Sequence, residues 1–228
     1  MFPLYCSGKR RSFVTIPPYG LVFAIDDDAS VRKGLARLLR SAGYKSEIFK
    51  LASDFLTRPP HSGPSCVIVD VQMPGLNGIE LQEDLIRRHR EEQLVFITGH
   101  GDIPMCAQAM KAGAVDFLRK PFRGDELLQC VQNALIRSAE QRRRSAEKND
   151  ARRLLDLLTA REFEVMQLVI TGMLNKQIAG ELGRSEKTVK VHRGRVMQKL
   201  GVTSVAELVG LVQRACVAPA ARTKTKVL

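Results

Sequence analysis

The chain has 228 residues, 44% of them hydrophobic and 26% charged, with no Trp and a formal net charge of +12. That is enough for one large or two ordinary globular domains and unlike a disordered or collagenous chain. Five scattered cysteines without a C-x-x-C pair suggest neither a disulfide framework nor a zinc site, and no apolar run reaches the roughly 18 residues of a membrane span.

The charge is unevenly spread. Residues 1–20 hold three basic side chains and no acid, residues 21–140 hold 15 basic and 16 acidic, and residues 141–228 hold 18 basic and 8 acidic, a net of +10. A small basic domain tied to a near-neutral one is the electrostatic footprint of nucleic-acid binding, though a solvated basic surface has the same composition. Unpaired cysteines and the absence of a secretory signal pattern point to a reducing, cytoplasmic compartment.

In chain order, residues 1–20 include Pro3, Pro17 and Pro18 and show no period, so a disordered extension is expected. LVFAI (21–25) reads as a buried strand, and VRKGLARLLRSAG as a helix with Val31, Leu35, Leu38 and Leu39 on one face. KSEIF is strand-like, LASDFL helical, and RPPHSGP a loop. CVIV (66–69) and LVFI (94–97) are further buried strands, separated by the amphipathic GIELQEDLIRRH. IPMCAQAMKAG reads as a helix, AVDFL as a strand, and DELLQCVQNALIR as a helix. Short, wholly apolar strands alternating with helices imply a five-stranded parallel sheet covered on both faces, a doubly wound α/β domain over 21–137. Residues 138–158 are charged and free of Gly and Pro, so they extend the last helix as a linker. From Thr159 to Cys216 the pattern is all-α, about four helices with breaks at Thr171–Gly172, Gly183 and Gly201–Thr203, and residues 217–228 are a basic tail.

Ligands of open parallel sheets bind outside the carboxyl ends of the strands. Those ends carry Asp26, Asp27 and Asp28, then Asp70, Thr98 and Lys120. Clustered carboxylates with water access suit Mg²⁺. An Asp beside that metal can act as nucleophile toward a phosphoryl group, whose oxygens then need cationic and hydroxyl partners. Asp70 alone can also be read as a helix cap, and Phe117 as a core residue.

IDDD (25–28), VIVDVQMPGLNGIEL (67–81), FITGHGD (96–102) and AGAVDFLRKPF (112–122) strongly resemble the response-regulator receiver domain over about half the chain. The separations match too: Asp70 lies 28 residues before Thr98 and 50 before Lys120. The resemblance implies a flavodoxin-like receiver fold with Asp70 as phosphoacceptor. It implies Mg²⁺ held by Asp27 and Asp70, with Asp26 in support and the backbone carbonyl of Gln72 completing the site. It gives Thr98 and Lys120 to the phosphoryl group and Phe117 to the aromatic switch position. Asp28 and His100 receive no role.

Thr159 and Glu162 have capping-box spacing, and NKQIAGELGRSEKTVKVHRGRVMQKLG places two helices, Lys176–Leu182 and Glu186–Leu200, around a tight turn at 183–185. This is the helix-turn-helix pattern, whose second helix enters the major groove. Residues 159–216 resemble the LuxR/NarL-type output domain, and the whole chain resembles the FixJ-like subfamily of transcriptional regulators. The resemblance implies DNA contacts from Lys187, Thr188, Lys190, Val191, Arg193 and Arg195, with Asn175 and Lys176 on phosphate. Gly194 stands where some relatives carry a basic contact. Some of these cations can instead face solvent, and sequence does not separate base readers from phosphate neutralisers.

The implied function is a two-component transcriptional activator, phosphorylated on Asp70 by a sensor histidine kinase. It would form a homodimer through 103–111 and 114–118 when phosphorylated, and work with RNA polymerase. One alternative is an Mg²⁺ phosphohydrolase, but the general-acid Asp such enzymes place two residues after the nucleophile is Gln72 here. Another is a DNA-binding protein whose receiver no longer takes phosphate.

Overall fold

The apolar runs of the first half become the middle of one parallel sheet. The computed structural model describes residues 20–99 and 103–217. The expected N-terminal extension up to residue 19, the loop residues 100–102 and the tail from 218 lie outside the described residues. Strands β1 (Leu21–Ile25), β2 (Lys45–Phe49), β3 (Ser65–Asp70), β4 (Gln93–Thr98) and β5 (Asp116–Arg119) pair in parallel in the order β2-β1-β3-β4-β5. Helices α1 (Ala29–Ser41), α2 (Ala52–Thr57), α3 (Gly78–Arg87), α4 (Ile103–Lys111) and α5 (Gly124–Leu155) follow the strands in turn.

Each strand feeds two cores because successive side chains point to opposite faces. Phe23, Ile25, Val67, Val69 and Phe96 face α2, α3 and α4, where Phe55, Leu81 and Ala109 meet them. Val22, Ala24, Ile68, Val95 and Ile97 face α1 and the first half of α5, where Leu35, Leu39, Leu127 and Val131 pack. Burial on both faces explains why these strands read as continuous apolar runs. The last strand is shifted from the expected AVDFL. Ala114 is used to close α4, its N–H donating to the Ala109 carbonyl at 3.1 Å, and pairing with β4 begins at Asp116.

The order of strand addition reverses between β1 and β3, so the crevice at their carboxyl ends is the topological switch point. Asp26 follows β1 directly, and Asp70 is the last residue of β3.

The chain divides into two compact units between Gln141 and Arg142, a boundary that falls within α5. That helix ends at Leu155, short of 158, because i→i+3 bonds at Leu157 and Leu158 turn the chain toward the next cap. The second unit then holds α6 (Ala160–Val169), α7 (Asn175–Leu182), α8 (Glu186–Leu200) and α9 (Val205–Arg214). Their core joins Val165, Met166, Ile178, Val189, Val196, Leu200 and Leu208 to Ala151 and Leu155 at the end of α5. Thr159 and Glu162 form the capping box of α6. Gly183, at φ 60°, ends α7 in the left-handed conformation, and the Ser185 side chain caps α8 two residues later.

Candidate functional site

At the switch point, carboxylate oxygens of Asp26, Asp27 and Asp70 lie within 4.8 Å of one another. Asp26 is fully buried, Asp70 nearly so, and Asp27 is the most exposed of the three. Backbone amides orient the two buried carboxylates. Asp26 Oδ1 accepts from the Asp28 N–H at 2.9 Å, and Asp70 Oδ1 accepts from the Gln72 N–H at 3.1 Å. Lys120, carried just past β5, bridges them, with Nζ 2.7 Å from Asp26 Oδ2 and 2.6 Å from Asp70 Oδ2.

Like charges collected in one crevice need a cation. Burial raises the Asp26 carboxyl above its ordinary value, against the pull of its hydrogen bonds to Lys120 and to the Asp28 amide. Desolvation works against the charge on Lys120, but its bonds to Asp26 and Asp70 outweigh it, so its pKa is raised. Three carboxylates and one ammonium leave the crevice short of positive charge, and hard oxygen donors at this spacing fit a small divalent cation.

The other receiver residues gather at the same edge. Thr98 is buried at the end of β4, and its carbonyl accepts from the Lys120 N–H at 2.7 Å. Phe117, on β5, is half-buried with its ring centroid 6.0 Å from that of Phe96. The exposed Gln72 lines an open cleft with Met73, Asn77, Ile79, Pro104 and Met105.

In the second unit, α8 buries Val189, Val196 and Leu200 and turns Lys187, Lys190, Val191, Gly194 and Arg195 outward. Thr188 is half-buried, and its hydroxyl lies 2.8 Å from that of Ser185 at the helix cap. Arg193 leans toward α7, where Nη1 donates to Asn175 Oδ1 at 3.0 Å, while Lys176 beside it is exposed. The expected contact residues therefore split. Lys187, Lys190, Val191 and Arg195 share one exposed face, Lys176 is exposed on α7, and Arg193, Asn175 and Thr188 are tied to neighbours.

The family of response regulator receiver domains matches residues 22–132, and the luxR family of bacterial regulatory proteins matches residues 156–212. Nodulation protein W of Bradyrhizobium diazoefficiens is 44% identical over 189 residues, covering 83% of each chain. The transcriptional regulatory protein FixJ of Azorhizobium caulinodans is 40% identical over 199 residues, 87% of this chain and 94% of that one. The solved structure of the response regulator StyR is 51% identical with a TM-score of 0.74, covering 86% of this chain and 99% of that one.

The chain belongs to the FixJ-like response regulators. It is a two-component transcription regulator with a receiver domain and a LuxR-family DNA-binding domain. Its relatives are transcriptional regulators, not enzymes that turn over a substrate. Among the described residues no helix is long and apolar enough to cross a membrane.

Two residues that matter to this response regulator's site were not found by motif. Asp28 caps α1, its Oδ1 accepting from the Ser30 and Val31 amides at 2.6 and 3.4 Å. An Asp directly before the helical period was the available signal. Gly78 starts α3 hard against β3, so a Cβ there would lie 2.6 Å from the Asp70 carbonyl oxygen and 3.0 Å from Val71 Cα. Only the folded geometry reveals that approach.

Proposed function

We propose that a sensor histidine kinase phosphorylates this regulator on Asp70, and that the phosphorylated form dimerises, binds DNA and activates transcription with RNA polymerase in the cytoplasm. The observation that carries this reading is the Asp26–Asp27–Asp70 cluster with Lys120 bridging two of its members.

Asp27 and Asp70, supported by Asp26 and the Gln72 carbonyl, are the residues that would hold Mg²⁺. When bound, Mg²⁺ supplies charge neutralisation that lets an anionic donor approach the carboxylates. Asp70 Oδ1 accepts from the Gln72 amide and Oδ2 from Lys120, whose flexible side chain can follow the new charge, so Oδ2 is taken as the attacking atom. A bond forms from Oδ2 to phosphorus as the phosphorus–nitrogen bond of the donor phosphohistidine breaks, and the imidazole leaves with the electron pair. Lys120 now gives Oδ2 a hydrogen bond, and in the product its ammonium pairs with a phosphoryl oxygen. Thr98, on the next strand, supplies the hydroxyl for a second oxygen.

Pulling Thr98 and Lys120 toward the phosphoryl group shifts the ends of β4 and β5, and with them Phe117 and the α4 face. Met110 on α4 is 44% exposed, which supports that face as a surface between copies. A two-fold dimer then presents two α8 helices to two half-sites, with Lys187, Lys190, Val191 and Arg195 toward the groove and Lys176 toward phosphate. Arg193 orients Asn175, and Thr188 secures the helix start.

The test compares sedimentation and DNA affinity of the chain with and without a small phosphodonor and Mg²⁺. A shift to dimer with tighter DNA binding supports the coupling. Unchanged size and affinity on fully phosphorylated protein contradict it.

A further inference from the structure

The outward face of α8 is not a uniform row of cations. At 3.6 residues per turn, Lys187, Val191, Gly194 and Gln198 run along the middle of the face opposite the buried Val189, Val196 and Leu200. Lys190 and Arg195 flank that line. Val191 is an apolar side chain left 47% exposed among these charges. Three residues on, Gly194 has an ordinary helical backbone, and a Cβ built on it meets no atom of the described residues within 4 Å.

Nothing among the described residues therefore requires glycine at 194, although glycine inside a helix is destabilising relative to alanine. Gly34 and Gly180 are equally open among the described residues, so open space alone does not distinguish it. Its position does. Residues at i and i+3 are surface neighbours on a helix, so Val191 and Gly194 together make a shallow apolar notch with a bare Cα floor and a branched wall. The major groove offers one apolar group of matching size, the thymine C5-methyl.

We propose that Val191 and Gly194 form a notch that receives a thymine methyl in each half-site, making Gly194 a specificity-determining position. The proposal rests on the reading of α8 as the DNA-contact helix. Lys190 and Arg195 hold the helix in the groove from either side, and the absent side chain at 194 lets the helix surface close on the methyl. An alanine at 194 places its own methyl where the thymine methyl belongs.

The experiment adds a methyl group on one partner and removes it from the other. The full chain, with Mg²⁺ and acetyl phosphate, selects duplexes from a random library, and each thymine of the selected site is then replaced singly by deoxyuridine. At one position per half-site, deoxyuridine weakens wild type by about four-fold, the burial of one methyl group. Gly194→Ala weakens binding to the thymine duplex by a similar factor and recovers on the deoxyuridine duplex, while its thermal midpoint rises by about 4 °C. Gly34→Ala, in the receiver, gains stability with no change in DNA affinity. Deoxyuridine tolerance at every position, or Gly194→Ala binding the thymine duplex as tightly as wild type, overturns the notch. A fully phosphorylated chain that enriches no sequence removes the DNA-contact reading itself, and the notch with it.

Discussion

Replacing Gly78 by Ala tests the packing that holds Asp70 in place. Gly78 opens α3, and its N–H donates to the Val71 carbonyl at 3.0 Å, so helix and strand end are already in contact. The added methyl would lie 2.6 Å from the Asp70 carbonyl oxygen, 3.0 Å from Val71 Cα and 3.2 Å from Phe96 Cε1. The two shortest contacts are to backbone, which has no rotamer to yield. Restoring an ordinary separation of about 3.4 Å asks α3 to retreat by roughly 0.8 Å. Overpacking of this kind costs about 2 kcal/mol, or a fall of about 8 °C in the receiver's thermal midpoint. Because the strain falls on the peptide that carries Asp70, the rate of phosphorylation by acetyl phosphate drops with the stability. Urea unfolding followed by circular dichroism reads the first effect and intact-mass kinetics the second. The exposed Gly34→Ala substitution is the control, with an expected gain of about 0.5–1 kcal/mol. Gly78→Ala with wild-type stability and wild-type phosphorylation would refute the close-packing argument.

Lys120→Met removes the ammonium that bridges Asp26 and Asp70, leaving a fully buried carboxylate unpaired at a cost of about 3 kcal/mol. Millimolar Mg²⁺ should raise the thermal midpoint of this variant more than that of wild type, and equal shifts would argue against a cation site at the cluster. Hydrogen bonds from Lys199 and then from the Thr159 amide hold the Glu162 carboxyl down to about 2. Its contribution to stability is complete above the ordinary value of 4.5 and is lost as pH falls from there toward 2. Glu162→Gln flattens that part of the curve, and parallel acid-unfolding curves for the two proteins would contradict the assignment. Ser138 Oγ accepts from the buried Ser65 N–H at 3.0 Å, so Ser138→Ala strands an amide and costs about 1–3 kcal/mol. The Ser65 hydroxyl is buried without a hydrogen-bond partner among the described residues, so Ser65→Ala is neutral to stabilising, and the reverse ranking would be incompatible with this bond.

The receiver fold was legible because both faces of its sheet are covered. Val22–Ile25, Val67–Val69 and Leu94–Ile97 are wholly apolar, and the polar residues that interrupt them, Asp26, Asp70 and Thr98, mark the carboxyl ends where a parallel sheet builds its site. What the sequence did not disclose depends on pairs far apart in the chain. Lys120 answers Asp26 across 94 positions, and Ser138 answers Ser65 across 73. Gly78 reads in sequence as the first residue of an amphipathic segment, and its contact with the Asp70 peptide exists only once α3 is docked. In the output domain the cap residues Thr159 and Ser185 and the left-handed Gly183 set the helix boundaries locally. The run of basic residues on α8 did not reveal its own geometry. Arg193 turns aside to Asn175, while Lys190 and Arg195 stay on the open face.

Asp70 as the phosphoacceptor is tested most directly by intact mass. Wild type and Asp70→Asn are incubated with Mg²⁺ and acetyl phosphate, and in parallel with a phosphorylated sensor histidine kinase. The cluster predicts a gain of one phosphoryl group on wild type, stable to acid and labile to base, and none on the variant. An equal gain on Asp70→Asn, or none on wild type from either donor, would contradict it.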